Sequence, residues 1–194
     1  MTGEEAGRRR GREAADPDTV GSGSGVPADP ESAAQELCLR LLTARPRSRS
    51  ELADALHRKG VSADVADRVL TRLGEVGLVD DEAYAAMVVQ SGQRNRSLGR
   101  RALSAQLRRK GIAERTANEA VVAADSEDEE NAARRLVKRK LRTMSGLDDT
   151  TRIGRLMGML ARRGYSEALA YRVVREVLRE HGMPVELPDP EHVT

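Results

Sequence analysis

The chain has 194 residues, enough for one ordinary domain or a short array of small units, and its 33% of charged residues nearly balance to a formal net charge of +2. Three Tyr are the only aromatics, so a core must be built from Leu, Val, Ile, Ala and Met, which favours helices over a β-sandwich. One cysteine, Cys38, excludes an intrachain disulfide and suits a reducing, cytoplasmic setting, and no stretch has the apolar length of a membrane span or of a secretory signal.

Residues 1–31, with Arg8, Arg9, Arg10, Arg12 and the run Gly21-Ser22-Gly23-Ser24-Gly25, bury too little apolar surface to offset ordering and are expected to form a disordered tail. Residues 32–77 read as a first three-helix unit. Ser32 precedes an apolar pattern at Leu37, Leu41 and Leu42 that Pro46 stops. Ser48-Arg49-Ser50-Glu51 is a capping box opening a second helix, which Gly60 closes. Ser62 is expected to cap a third helix with Val65, Val69, Leu70 and Leu73 on one face, and Gly74 and Gly77 mark its end.

Residues 78–125 read as a second unit. Asp80 is the expected N-cap, with Asp81 and Glu82 suiting the positive helix end. Its first helix carries Tyr84, Met87 and Val88, with Tyr84 placed as a core anchor. A link from Ser91 to Gly99 leads to a helix with Leu103 and Leu107. A third helix, with Ala117, Ala120 and Val121, follows Gly111. Residues 126–182 read as a third unit, opened by the capping box Ser126-Glu127-Asp128-Glu129. Its helices carry Leu136, Val137 and Leu141, then Ile153, Leu156, Met157 and Leu160 up to Gly164, then Leu169 to Leu178. Residues 183–194, with Pro184, Pro188 and Pro190, read as a loose tail, and no run alternates long enough to make a strand.

The three units share one register. Gly60, Gly111 and Gly164 follow Leu56, Leu107 and Leu160 by four residues, and each is preceded by basic residues: Arg58-Lys59, Arg109-Lys110 and Arg162-Arg163. Downstream, Ala66, Ala117 and Ala170 align, as do Val69, Ala120 and Val173. A whole register of matches signals a repeated structural unit, and such units stack because each alone cannot bury its apolar face.

Charge is clustered despite its balance. Arg94, Arg96, Arg100, Arg101, Arg108, Arg109, Lys110 and Arg115 face only Glu114 in the stretch 94–115. Such a surface attracts phosphate or an acidic groove, and a solvated helix face is the plainer alternative. Cations in the last turn before a glycine are explained by the helix dipole, whereas Arg100 and Arg101 stand near a helix start where the dipole disfavours them; they therefore rank first as binding residues. Arg134, Arg135, Lys138, Arg139, Lys140 and Arg142 follow an acidic run, so pairing such as Glu130 with Arg134 accounts for part of them, leaving Lys138 and Arg142 to reach a partner. Enzyme chemistry has little support. His57, His181 and His192 make no metal-ligand spacing with Cys38, the Gly-Ser stretch is no phosphate loop, and Asp80-Asp81 is explained by capping. No metal, cofactor or catalytic residue is expected.

The segments Leu78-Val79-Asp80-Asp81-Glu82-Ala83-Tyr84-Ala85, Ser97-Leu98-Gly99-Arg100-Arg101 and Leu107-Arg108-Arg109-Lys110-Gly111-Ile112 resemble, in order, those of the RecX family of bacterial recombination regulators. The resemblance covers about residues 33–181. The stretch Arg94 to Gly99 lacks the aromatic often found there, and Thr116 stands at a position that is apolar in the other two repeats, Val65 and Leu169. The resemblance implies an all-α fold of three tandem three-helix repeats in an elongated, curved array. It implies a non-catalytic regulator, acting as a monomer, that binds RecA and its filament on single-stranded DNA, blocks extension or promotes disassembly, and lowers strand exchange, ATP hydrolysis and co-protease activity. Arg94, Arg96, Arg100, Arg101, Arg108, Arg109, Lys110, Lys138, Arg142, Arg162 and Arg163 are then the candidate contacts to the filament or DNA. A helix-turn-helix transcription regulator acting alone is the alternative, since three-helix units with basic faces suit both; a helical scaffold with no nucleic-acid partner is a third.

Overall fold

The computed structural model describes residues 29–124 and 126–183. Both expected tails lie almost wholly outside these residues, as does the Ser126 side chain. Among the described residues there are nine helices and no strand: α1 (Pro30–Ala44), α2 (Arg49–Arg58), α3 (Ala63–Glu75), α4 (Asp81–Arg96), α5 (Arg100–Arg109), α6 (Glu114–Ala123), α7 (Ser126–Leu141), α8 (Asp149–Arg162) and α9 (Glu167–Glu180).

Local chemistry explains most helix boundaries. At α2 the Ser48 hydroxyl accepts the Glu51 N–H and the Glu51 carboxylate accepts the Ser48 N–H, a complete capping box. Asp80 caps α4 by accepting from the N–H groups of Glu82 and Ala83. α1 begins at Pro30, two residues before the expected Ser32, because proline is well suited to the first helical turn. The middle helices α2, α5 and α8 each run into a glycine at φ between 71° and 82° (Gly60, Gly111 and Gly164), where a side chain would be strained.

Two boundaries differ from the sequence reading. The expected link from Ser91 to Gly99 is mostly helix, since α4 continues to Arg96 and ends at Ser97, whose left-handed φ of 49° breaks it. Gly92 permits this extension: a Cβ there would collide with the Leu103 side chain, so glycine lets α5 lie close against α4. In the third unit Ser126 is already the first helical residue of α7, and Glu129 bonds across to Arg100.

Each trio of helices closes on its own core. Ala34, Cys38, Leu52, Leu56, Val69, Leu70 and Leu73 form the first. Tyr84, Ala85, Val88, Val89, Leu103, Leu107, Ile112 and Val121 form the second, and Tyr84 is thus the core anchor expected. Leu136, Val137, Leu156, Leu160, Tyr165, Val173, Val174 and Val177 form the largest, the third. A fully buried Leu or Val contributes about 1.5–3 kcal/mol, so stability resides inside the units. Burial also raises the Cys38 thiol pKa, which keeps it inert.

Candidate functional site

Units one and two meet where the start of α2 abuts the glycine turn after α5. The Ser48 hydroxyl donates to the Lys110 carbonyl at 2.6 Å, and the Arg49 N–H donates to Asp81 Oδ1 at 2.8 Å. Glu51 is the hub of this joint. Its carboxylate takes Lys110 Nζ at 2.7 Å, the Tyr84 hydroxyl at 2.9 Å and Arg45 at 3.3 Å, besides its own cap bond. Burial opposes ionisation of Glu51, but these bonds together outweigh it and hold its pKa at about 2.

Units two and three meet at the equivalent place with different chemistry. The Gly99 N–H donates to the Arg163 carbonyl at 2.9 Å and the Arg101 N–H to the Gly164 carbonyl at 3.1 Å. The backbones lie so close that a Cβ on Gly99 would be 2.7 Å from the Gly164 carbonyl carbon, and one on Gly164 would strike the Ala102 backbone. The Arg100 N–H reaches Glu129 Oε1 at 2.9 Å, and its guanidinium pairs with the same buried carboxylate at 3.2 Å. The Tyr165 hydroxyl donates to the Ser97 carbonyl at 2.9 Å; burial, helped by the Glu129 charge, pushes its pKa up to about 12.

These joints sort the candidate cations. Arg100, ranked first from sequence, is engaged with Glu129 and the Ala124 carbonyl. Its local environment at a helix start gave it no structural reason, but a carboxylate from the next unit supplies one. Lys110 is held by Glu51, and the Arg163 guanidinium donates to the Arg96 carbonyl. Lys138, expected to reach outward, pairs with Glu180 at 2.8 Å, and Arg134 pairs with Glu130, Glu176 and Glu180, so these two cations of the run fasten α7 to α9.

Arg94, Arg96, Arg101, Arg108, Arg109, Arg142 and Arg162 are exposed, and among the described residues none has an ion-pair partner. Arg101 and Arg108, two helical turns apart, share one face of α5. Arg101 also lines a cavity of about 300 Å³ with Met157, Gly158, Ala161, Tyr165 and Glu167 of the neighbouring unit, and the Arg162 guanidinium lies 3.3 Å from where a Cβ on Gly158 would be. Gly158 thus links the surroundings of Arg101 and Arg162, and the second joint ties Arg163 to the Arg96 carbonyl. Arg142 lies apart, past the end of α7, lining a separate cavity with Arg152 and His181. Sequence reasoning missed Glu51, Asp81, Glu129 and Tyr165 as joint residues, because their partners lie 29 to 68 positions away. No local signal reveals such pairs; equivalent positions in the repeats are the one hint.

The comparisons with known proteins agree along the chain. Residues 34–73, 80–121 and 127–174 match the profiles described as the first, second and third three-helix domains of RecX. The chain is 48% identical over 169 residues to "Regulatory protein RecX" of Thermobifida fusca, covering 87% of this chain and 91% of the relative. It is 49% identical over 160 residues to that of Streptomyces lividans, covering 82% and 85%. Among solved structures, RecX from Lactobacillus salivarius superposes with a TM-score of 0.73 at 20% identity, covering 77% of this chain and 97% of the other, which supports the fold. The chain belongs to the RecX family.

Proposed function

We propose that this RecX family member is a non-catalytic regulator of RecA. It binds RecA and the RecA filament on single-stranded DNA, blocks extension or promotes disassembly, and so lowers strand exchange, ATP hydrolysis and co-protease activity. It acts as a monomer in the cytoplasm, without a cofactor, and touches bare DNA only weakly. The observation that carries this reading is the division among the basic side chains. Arg100, Lys110 and Arg163 are consumed in holding the units together, while Arg101, Arg108 and Arg109 on the middle unit have no counter-charge among the described residues. Unpaired arginines on a helix face fit phosphate or a carboxylate-lined groove, and the array spaces such faces along one direction.

The test is RecA ATP hydrolysis on single-stranded DNA, titrated with this protein well below the RecA concentration. Strong inhibition at those ratios is expected, because a few molecules at filament ends or along the groove would control many subunits. No inhibition at equal concentrations would remove the proposal and turn attention to direct, sequence-dependent DNA binding by a helix-turn-helix regulator.

A further inference from the structure

The two joints follow one plan. In each, the N-cap residue of a middle helix bonds the C-cap carbonyl of the next unit's middle helix: Ser48 to Lys110, Gly99 to Arg163. In each, the next amide takes a carboxylate from the next unit's first helix: Arg49 N–H to Asp81, Arg100 N–H to Glu129. Both glycine turns are thereby covered, Gly111 by Ser50 and Gly164 by Ala102.

The plan leaves a loose end on each terminal unit. The Lys59-Gly60 turn has the same shape, with Gly60 at φ 77°, yet among the described residues nothing lies within 4 Å of a Cβ placed there, and Arg58, Lys59 and Gly60 are all exposed. Among the described residues no donor reaches the Lys59 carbonyl. At the opposite end, α8 starts with exposed Asp148 and Asp149, and no carboxylate of another unit among the described residues meets the Asp149 N–H. The first open end carries two cations, Arg58 and Lys59; the second carries Asp148, whose carboxylate accepts the Thr151 N–H, and Asp149, which pairs with Arg152, so it is acidic by one net charge.

We propose that these ends mate between molecules: the α8 N-terminus of one copy docks on the Lys59-Gly60 turn of a second copy. The Asp148 N–H donates to the Lys59 carbonyl as that of Gly99 does to Arg163, the second oxygen of the Asp148 carboxylate faces Arg58 and Lys59, and Asp149 is shared between its own Arg152 and these two cations. The contact is head to tail, so it leaves a fresh end on every added copy and builds open chains instead of a closed dimer. Inside the chain each joint is helped by its linker, which supplies an effective concentration of roughly 1 mM. Between copies that help is absent and the interface is small and polar, so copies stay separate at about 1 μM and join at about 0.1–1 mM.

The test uses the full chain with His57→Cys or Thr150→Cys, both exposed positions that keep Arg58 and Lys59; the native Cys38 is buried and stays in place. A mixture of the two single variants at about 0.5 mM, treated with a short bis-maleimide, is expected to give dimer in about fivefold excess over either variant alone. The double variant is expected to give a ladder of higher multimers. Equilibrium sedimentation of cysteine-unaltered chains provides the second readout. Asp148→Asn with Asp149→Lys should abolish the rise of mass with concentration, as should Arg58→Glu with Lys59→Glu, and mixing these two charge variants should restore it, with helicity unchanged in both. Dimer yields no higher than for a Glu75→Cys and Thr150→Cys mixture would overturn the proposal. So would a double variant that stops at dimers, or charge reversals without effect on the mass.

Discussion

The two joints occupy equivalent places in the repeat and are built from opposite materials. Between units one and two the contact is a carboxylate hub, with Glu51 collecting Lys110, Tyr84, Arg45 and the Ser48 N–H. Between units two and three it is mainly backbone on backbone, stitched by the N–H groups of Gly99 and Arg101, with one buried acid, Glu129, neutralising Arg100. A repeat frame thus conserves where units touch and leaves open how. A hub of side chains is tunable by pH and salt; a close backbone approach is intolerant of any added atom.

The largest effect should separate geometry from strain. Gly164→Ala must adopt a φ of 82° and also pushes a methyl into the Ala102 backbone, whereas Gly60→Ala meets the φ of 77° alone. Denaturant unfolding should show a loss of about 1 kcal/mol for Gly60→Ala and about 2 kcal/mol more for Gly164→Ala. Equal losses would mean the second joint contributes no packing constraint. Next, Glu129→Ala strands the Arg100 guanidinium and frees its N–H. A loss of about 1–2 kcal/mol is expected, reduced from the fully buried case because the Arg100 side chain is 40% exposed.

The first joint should answer to acid. Because the folded Glu51 pKa is depressed from 4.5 to about 2, its contribution is complete above about 4.5 and fades as pH falls toward 2. Glu51→Gln should therefore be less stable than the parent at pH 7, by about 1 kcal/mol after allowance for solvent screening, and the gap should close between pH 4.5 and 2. A pH-independent gap would assign the loss to packing. Smallest of all, Arg101→Glu with Arg108→Glu should change stability by less than about 0.5 kcal/mol, since neither side chain has an ion-pair partner among the described residues.

The fold was legible because its signals are local and periodic. The capping box at Ser48 and Glu51, the Asp80 cap and the glycine turns each act within a few residues. The length of α4 was not legible, because Gly92 reads as a helix breaker until Leu103 is seen lying against it. The same limit applied to the cations. The dipole argument correctly saw that Arg100 lacks a reason within its own helix, but the reason is Glu129, in the next unit. Charge lists identify basic helices; only packing tells which of their charges are already spent.

That division of labour is the central claim, and one measurement tests it most directly: the affinity for RecA-coated single-stranded DNA of the parent chain, Arg101→Glu/Arg108→Glu and Lys110→Met, each with its unfolding curve. The arginine double variant is expected to bind at least about tenfold more weakly with an unchanged unfolding midpoint, while Lys110→Met unfolds more easily and, wherever it remains folded, binds as the parent does. Unchanged affinity in the arginine variant, or a binding loss confined to Lys110→Met, would contradict it.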